Sequence, residues 1–138
     1  MLEVSEKGRN PVSDKERAQQ PEDLTRLFVE RANNGDAAGI ADLYEVEAVM
    51  AYPPGQMTIG RAAIRVLWEK VLASSPHMEQ ETALPTLICG DIALTSTAPR
   101  DAAGARAQVA RRQPDGTWLR LLDQPEFVAL PEPVAAAR

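Results

Sequence analysis

Apolar residues return at helical spacing soon after the start of the chain. Leu24, Leu27, Phe28 and Ala32 fall on one face of a predicted helix. Pro21-Glu22-Asp23 opens it, because proline suits a first helical turn and acids favour the positive end of the helix dipole. Asn33-Asn34-Gly35 closes it. Asp36 then caps a short second helix over Ala37–Tyr44, with Ile40, Leu43 and Tyr44 inward. Glu47–Tyr52 reads as a short strand ended by Pro53-Pro54-Gly55. Gly60 precedes a third helix, Arg61–Ala73, whose inner positions are Ile64, Leu67, Trp68, Val71 and Leu72. Beyond Ser74-Ser75-Pro76 the pattern turns to strands: Met78–Ile88, interrupted near Pro85, then Asp91–Thr97, Ala105–Gln113 and Thr117–Phe127. Pro99–Gly104 is a loop, and Pro114-Asp115-Gly116 is a hairpin signal. Helices first and strands after predict an α+β domain, with an antiparallel sheet and the helices gathered on one face.

The flanks differ from this body. Residues 1–20 hold four acids and four bases against Met1, Leu2, Val4 and Val12, too little apolar surface to offset the entropy of ordering. They read as a disordered arm, with a short helix near Ser13–Gln20 as the alternative. Residues 131–138 read as a tail, which leaves 21–130 as the domain.

Composition narrows the chemistry. The chain has 138 residues, one domain's worth, and a formal net charge of −5, which argues against nucleic acid as a partner. One cysteine and one histidine cannot assemble the usual metal sites or a disulfide. His77 reads as an exposed loop residue and Cys89 as a small buried group. No apolar run reaches the ~20 residues of a membrane span, and the first ten residues lack the apolar core of a signal peptide. The expectation is a cytoplasmic protein with no membrane partner. No phosphate-binding loop, dinucleotide fingerprint or nucleophile elbow is present, so no cofactor is expected.

Three stretches carry a family resemblance: Leu27–Gly55 (LFVERANNGDAAGIADLYEVEAVMAYPPG), Ile59–Trp68 (IGRAAIRVLW) and Arg111–Pro125 (RRQPDGTWLRLLDQP). Together they resemble the nuclear transport factor 2-like superfamily, in its SnoaL-like branch. The resemblance implies a cystatin-like cone in which a curved sheet wraps a long N-terminal helix and encloses an apolar pocket, with frequent homodimers. It implies no single chemistry, since the superfamily holds isomerases, cyclases, hydrolases, dehydratases and binding modules. Ketosteroid isomerase-like catalysis needs a carboxylate base and two proton donors. The matching positions here are Tyr52, Phe28 and Val109. A phenol is a poor base at neutral pH, and the other two side chains donate nothing. Epoxide hydrolase-like catalysis needs two aspartates and an arginine; Arg111 and Asp123 match, and the second aspartate has no counterpart.

SnoaL-like cyclisation needs less, one carboxylate in an apolar pocket that shapes the substrate. Asp123 is its candidate, following Leu119 and Leu121 at period two, with Tyr52 as donor. The competing reading is that Asp123 pairs with Arg111 or caps backbone amides. The register of the last hairpin decides the lining. A three-residue loop sets Arg111, Val109, Leu121 and Asp123 on one face; a two-residue loop sets Arg112, Ala110 and Gln108 there instead. The resemblance favours the first, which points Arg111 into the pocket. Phe28 and Trp68 complete the expected lining, as core or ligand contacts. Trp118 and Leu122 would then mark the outer sheet face as a homodimer surface. The functional expectation is a small-molecule pocket for an apolar organic or polyketide-like ligand, with a cofactor-independent isomerase or cyclase as the catalytic reading. The alternative is a non-catalytic ligand-binding, dimerisation or accessory module.

Overall fold

A computed structural model describes residues 15–74, 77–99 and 104–127. The chain runs α1 (Asp23–Asn33), α2 (Ala37–Ala41), β1 (Tyr44–Met50), β2 (Thr58–Ile59), α3 (Arg61–Leu72), β3 (Leu87–Cys89), β4 (Ile92–Thr97), β5 (Arg106–Arg112) and β6 (Trp118–Gln124). The six strands form one curved, unclosed sheet in the order β2-β1-β6-β5-β4-β3. The contact between β1 and β6 is parallel and the others are antiparallel. The α+β class and the helix-then-strand order follow the hydrophobic pattern.

The local causes are the expected ones for the helices. Gly35 takes φ 68° just after α1, a conformation that favours glycine. The Asp36 carboxylate accepts from the Gly39 amide at 2.9 Å and caps α2. Leu24, Leu27, Ile40, Leu43, Ile64 and Trp68 from the helical half pack with Tyr44, Ala48, Met50, Ala93, Ala110 and Trp118 of the sheet. Each large apolar side chain buried this way contributes about 1.5–3 kcal/mol.

Several elements depart from the sequence reading. The second helix stops at Ala41, and Tyr44 begins β1 rather than ending a helix. The expected strand Met78–Ile88 is only Leu87–Cys89, with one isolated bridge from Ala83 to Thr97. Cys89, read as buried, is exposed, because all three residues of this sheet-edge strand are open to solvent. Residues 1–14, 100–103 and 128–138, which include most of the expected arm, most of the loop and the tail, lie outside the described residues.

Residues 15–20, assigned to the arm, instead pack against the domain. Ala18 is buried, and its carbonyl accepts from the Trp118 amide at 3.0 Å. Arg17 pairs with Asp115 at 3.0 Å. The guanidinium of Arg31, itself buried, donates to the Gly39 carbonyl at 2.7 Å and to the Glu16 carbonyl. One side chain of α1 thus ties the entering segment to α2. Arg31→Ala leaves both carbonyls short of a donor; the expected loss is about 1–3 kcal/mol, read from urea denaturation.

Candidate functional site

The last hairpin sets the site, and it contains an irregularity that the sequence does not announce. Its loop is the three-residue option: the Gln113 amide donates to the Thr117 carbonyl at 2.7 Å, and Arg111 faces Leu119. Gly116 takes φ 88°, and Asp115 accepts from the Thr117 amide and hydroxyl at 2.9 and 2.6 Å. Further along, Ala110 pairs with Arg120 but Val109 pairs with Leu122. Leu121 is therefore an extra residue, a β-bulge. Beyond it the alternation is inverted, so Asp123 shares the buried face with Arg120 and Trp118, not with Leu119 and Leu121.

The expected lining changes accordingly. Arg111 lies on the opposite face, exposed, where it grips Glu45 with two hydrogen bonds of 2.9 and 3.0 Å. Its hydrogen bond holds the Glu45 carboxyl below its ordinary value. Val109 is on that outer face too, and neither it nor Leu121 borders the cavity described below. Trp118, read as an outer-face residue, is buried, with the Arg112 guanidinium 5.8 Å from its ring centroid. Leu122 remains exposed.

Between the sheet's concave face, α1 and α3 lies a cavity of about 370 Å³. Phe28, Tyr52, Trp68 and Asp123, all singled out from the sequence, border it. The Phe28 and Trp68 rings meet edge-on at 4.9 Å, and Tyr52 lies nearly parallel to Trp68 with centroids 6.2 Å apart. Val29, Val71 and Met78 extend this apolar wall. The opposing side is polar, so the cavity is amphipathic rather than uniformly apolar. There Arg106 pairs with Glu81 at 2.9 Å, and Gln108 accepts from Thr95 at 2.9 Å.

At the buried end stands a cluster built by two adjacent strands. Asp123 and Arg120 of β6 are 4% and 3% exposed, and Tyr44 of β1 is fully enclosed. The Tyr44 hydroxyl donates to Asp123 Oδ2. Arg120 Nη1 lies 3.5 Å from the same oxygen and 3.2 Å from the Tyr44 hydroxyl oxygen, while Nη2 donates to Thr25 Oγ1 at 3.2 Å. The guanidinium also lies over the Phe28 ring at 5.3 Å and the Tyr44 ring at 5.8 Å. Burial, reinforced by the Asp123 charge, pushes the Tyr44 phenol well above the usual tyrosine value, so it keeps its proton and serves as a donor. Burial also opposes the Arg120 charge, but Tyr44 and Asp123 outweigh it and hold the guanidinium above its ordinary value.

Three buried polar atoms at this cavity have no hydrogen-bond partner among the described residues: Asp123 Oδ1, Arg120 Nε and Trp68 Nε1. Buried polar atoms are ordinarily satisfied, so one acceptor and two donors left over beside a cavity are a signal for a ligand. Tyr44 and Arg120 are the members that the sequence reading missed. Tyr44 was read as helical core, and a buried arginine three residues from its aspartate shares a strand face only because of the bulge. No group of three or more histidine, cysteine or acidic side chains placed to hold a metal ion occurs among the described residues. No helix among them is long and apolar enough to cross a membrane.

The two arginines separate in a stability test. Arg120→Met leaves Asp123 a buried charge without its cation, at an expected cost of about 3–5 kcal/mol, and Arg120→Met with Asp123→Leu recovers most of it. Arg111→Ala, which removes an exposed ion pair, costs far less. Because the folded Glu45 value is depressed, its contribution is present above the ordinary carboxylate range and is lost as pH falls through the folded value. Denaturation curves of Arg111→Ala and the parent therefore converge in acid.

Comparison with known proteins places this geometry. The SnoaL-like domain matches residues 25–121. No curated protein sequence matches the chain. Among solved structures, a candidate calcium/calmodulin-dependent protein kinase type II association domain from Thiobacillus denitrificans aligns with a TM-score of 0.64 at 18% identity, over 80% of this chain and 98% of that one. A ketosteroid isomerase-like protein from Erwinia carotovora atroseptica aligns with a TM-score of 0.63 at 14% identity, over 78% and 94%. An NTF2-like protein with a cystatin-like fold from Novosphingobium aromaticivorans gives 0.58 at 23% identity, over 84% and 82%. These likenesses establish the fold.

Proposed function

Since the chain belongs to the SnoaL-like domain family, whose fold supports a small-molecule-binding domain, we propose that its cavity takes a small organic substrate and that Asp123 moves a proton on it without a cofactor. The observation that carries this reading is the Asp123 carboxylate. One oxygen is fixed by Tyr44 and Arg120, and the other is buried without a partner beside the cavity. A carboxylate held on one oxygen is oriented for its second oxygen to accept a proton. The apolar body of the substrate rests on Phe28, Tyr52, Trp68 and Met78. Asp123 Oδ1 takes a proton from carbon next to a carbonyl, and the electrons move onto the carbonyl oxygen. The Tyr52 hydroxyl and the Trp68 indole N–H are the donors on the wall for that oxygen. Return of the proton to a different carbon gives an isomer; attack of the enolate carbon on a second carbonyl gives a ring. Arg111, on the outer face, has no part in this chemistry.

The test uses 2-tetralone, a bicyclic ketone with acidic α-hydrogens, in deuterated water, and 2-naphthol as a mimic of its enol. The protein accelerates deuterium uptake, followed by NMR. Asp123→Asn lowers that rate by about 10²–10⁴-fold and still binds 2-naphthol. The Arg120→Met, Asp123→Leu double variant supplies a folded protein without the carboxylate and likewise exchanges nothing. Binding with no exchange in the parent protein supports the non-catalytic alternative and ends the proposal of proton transfer.

A separate observation supports a homodimer. Val49, Leu94, Val109 and Leu122 from four neighbouring strands, with Met57, line an apolar groove on the outer sheet face. Leu94, Leu122 and Met57 are exposed there. We propose a second copy of the chain as the occupant, sheet against sheet. Sedimentation at micromolar concentration then gives a dimer mass, and Leu94→Glu with Leu122→Glu gives a monomer that keeps its circular dichroism. A parent protein that sediments as a monomer sinks the dimer.

A further inference from the structure

Among the described residues, carboxylates outnumber guanidiniums around the cavity. Its lining includes the guanidiniums of Arg106 and Arg120 and the carboxylates of Glu79, Glu81, Asp123 and Glu126. Arg106 answers Glu81 at 2.9 Å, and Arg120 answers Asp123 at 3.5 Å. Glu79 and Glu126 form no ion pair among the described residues. His77 also borders the cavity and is exposed. Among the described residues, two carboxylates of the lining are therefore left without an ion-pair partner.

Their position differs from that of the cluster at the floor. Glu79 is exposed and Glu126 is half-buried, whereas Asp123 and Arg120 are almost wholly enclosed. The unmatched carboxylates thus stand toward solvent, at the mouth. The aromatic side chains of Phe28, Tyr52 and Trp68 line the same cavity. Aromatic faces attract cations and give anions no comparable attraction. At the floor, Asp123 Oδ1 is a second, independent sign of a ligand, a buried acceptor that lacks a donor.

We infer that the cavity selects an organic cation, a protonated amine on an apolar ring body, over a neutral analogue and against carboxylates and phosphates. The ammonium meets Glu79 and Glu126 at the mouth, the ring body lies along the aromatic wall, and the far end reaches Asp123. This rests on the reading of the cavity as a ligand site and adds the class of ligand. A carboxylate guest would face the same two charges as repulsion, so the two classes separate by more than either charge effect alone.

The experiment compares three probes of one shape: 2-aminotetralin, 2-tetralone and tetralin-2-carboxylate, titrated calorimetrically at neutral pH and low salt. The amine binds at least about tenfold tighter than the carboxylate, with the ketone between, and added salt narrows the gap. Glu79→Gln with Glu126→Gln collapses the gap. Glu22→Gln with Glu47→Gln, two exposed acids away from the cavity, changes net charge equally and preserves it. Equal binding of the three probes, or tighter binding of the carboxylate, overturns the charge selection while the ligand site stands. A gap that survives in the Glu79, Glu126 variant also overturns it, since overall charge then explains the preference. Failure of all three to bind overturns the ligand site, and this inference with it.

Discussion

A guanidinium and a carboxylate enclosed together govern this structure. Arg120 and Asp123 leave water as a pair, and neither is tolerable there alone, because desolvating an isolated charge costs several kcal/mol. Their pairing depends on backbone, since residues three apart on a regular strand point to opposite faces. The extra residue Leu121 turns both inward, and Tyr44 from the parallel neighbour β1 then completes the carboxylate's partners. The strand irregularity, the buried pair and the polar end of the cavity are one solution to one electrostatic constraint.

The fold was legible where period and punctuation agree. The face of α1, its close at Gly35, the Asp36 cap and the turn at Pro114–Gly116 all follow from residues whose local preferences match the final structure. The pattern reads Met78–Ile88 as a strand interrupted near Pro85, but only its end enters a ladder, as Leu87–Cys89, and before it Ala83 alone bridges to Thr97. Tyr44 was placed in a helix because Ile40, Leu43 and Tyr44 keep helical spacing, while pairing with Arg120 across the sheet claims it for β1.

The site was only half legible, for a specific reason. Phe28, Tyr52, Trp68 and Asp123 were named from helical faces, a strand end and family likeness, and each borders the cavity. Arg111, Val109 and Leu121 were named from strict alternation along β5 and β6, and the bulge breaks that alternation. No glycine or proline marks the bulge, so nothing local in WLRLLDQ distinguishes it from a regular strand. The information that decides it is tertiary: Trp118, Arg120 and Asp123 can be enclosed together only if one residue is looped out.

The segment 15–20 bears on where this domain starts. Hydrophobic pattern alone draws the border at Pro21, yet Ala18 is hydrogen-bonded to β6 and the Glu16 carbonyl to Arg31. A shortened chain cut at Pro21 would strip the first residue of β6 of its amide's acceptor, and it would leave a half-coordinated cation inside the helical layer. The six residues behave as a stopper that seals the end of the structure where Trp118 and Arg31 meet, and recombinant fragments of the domain need to carry them.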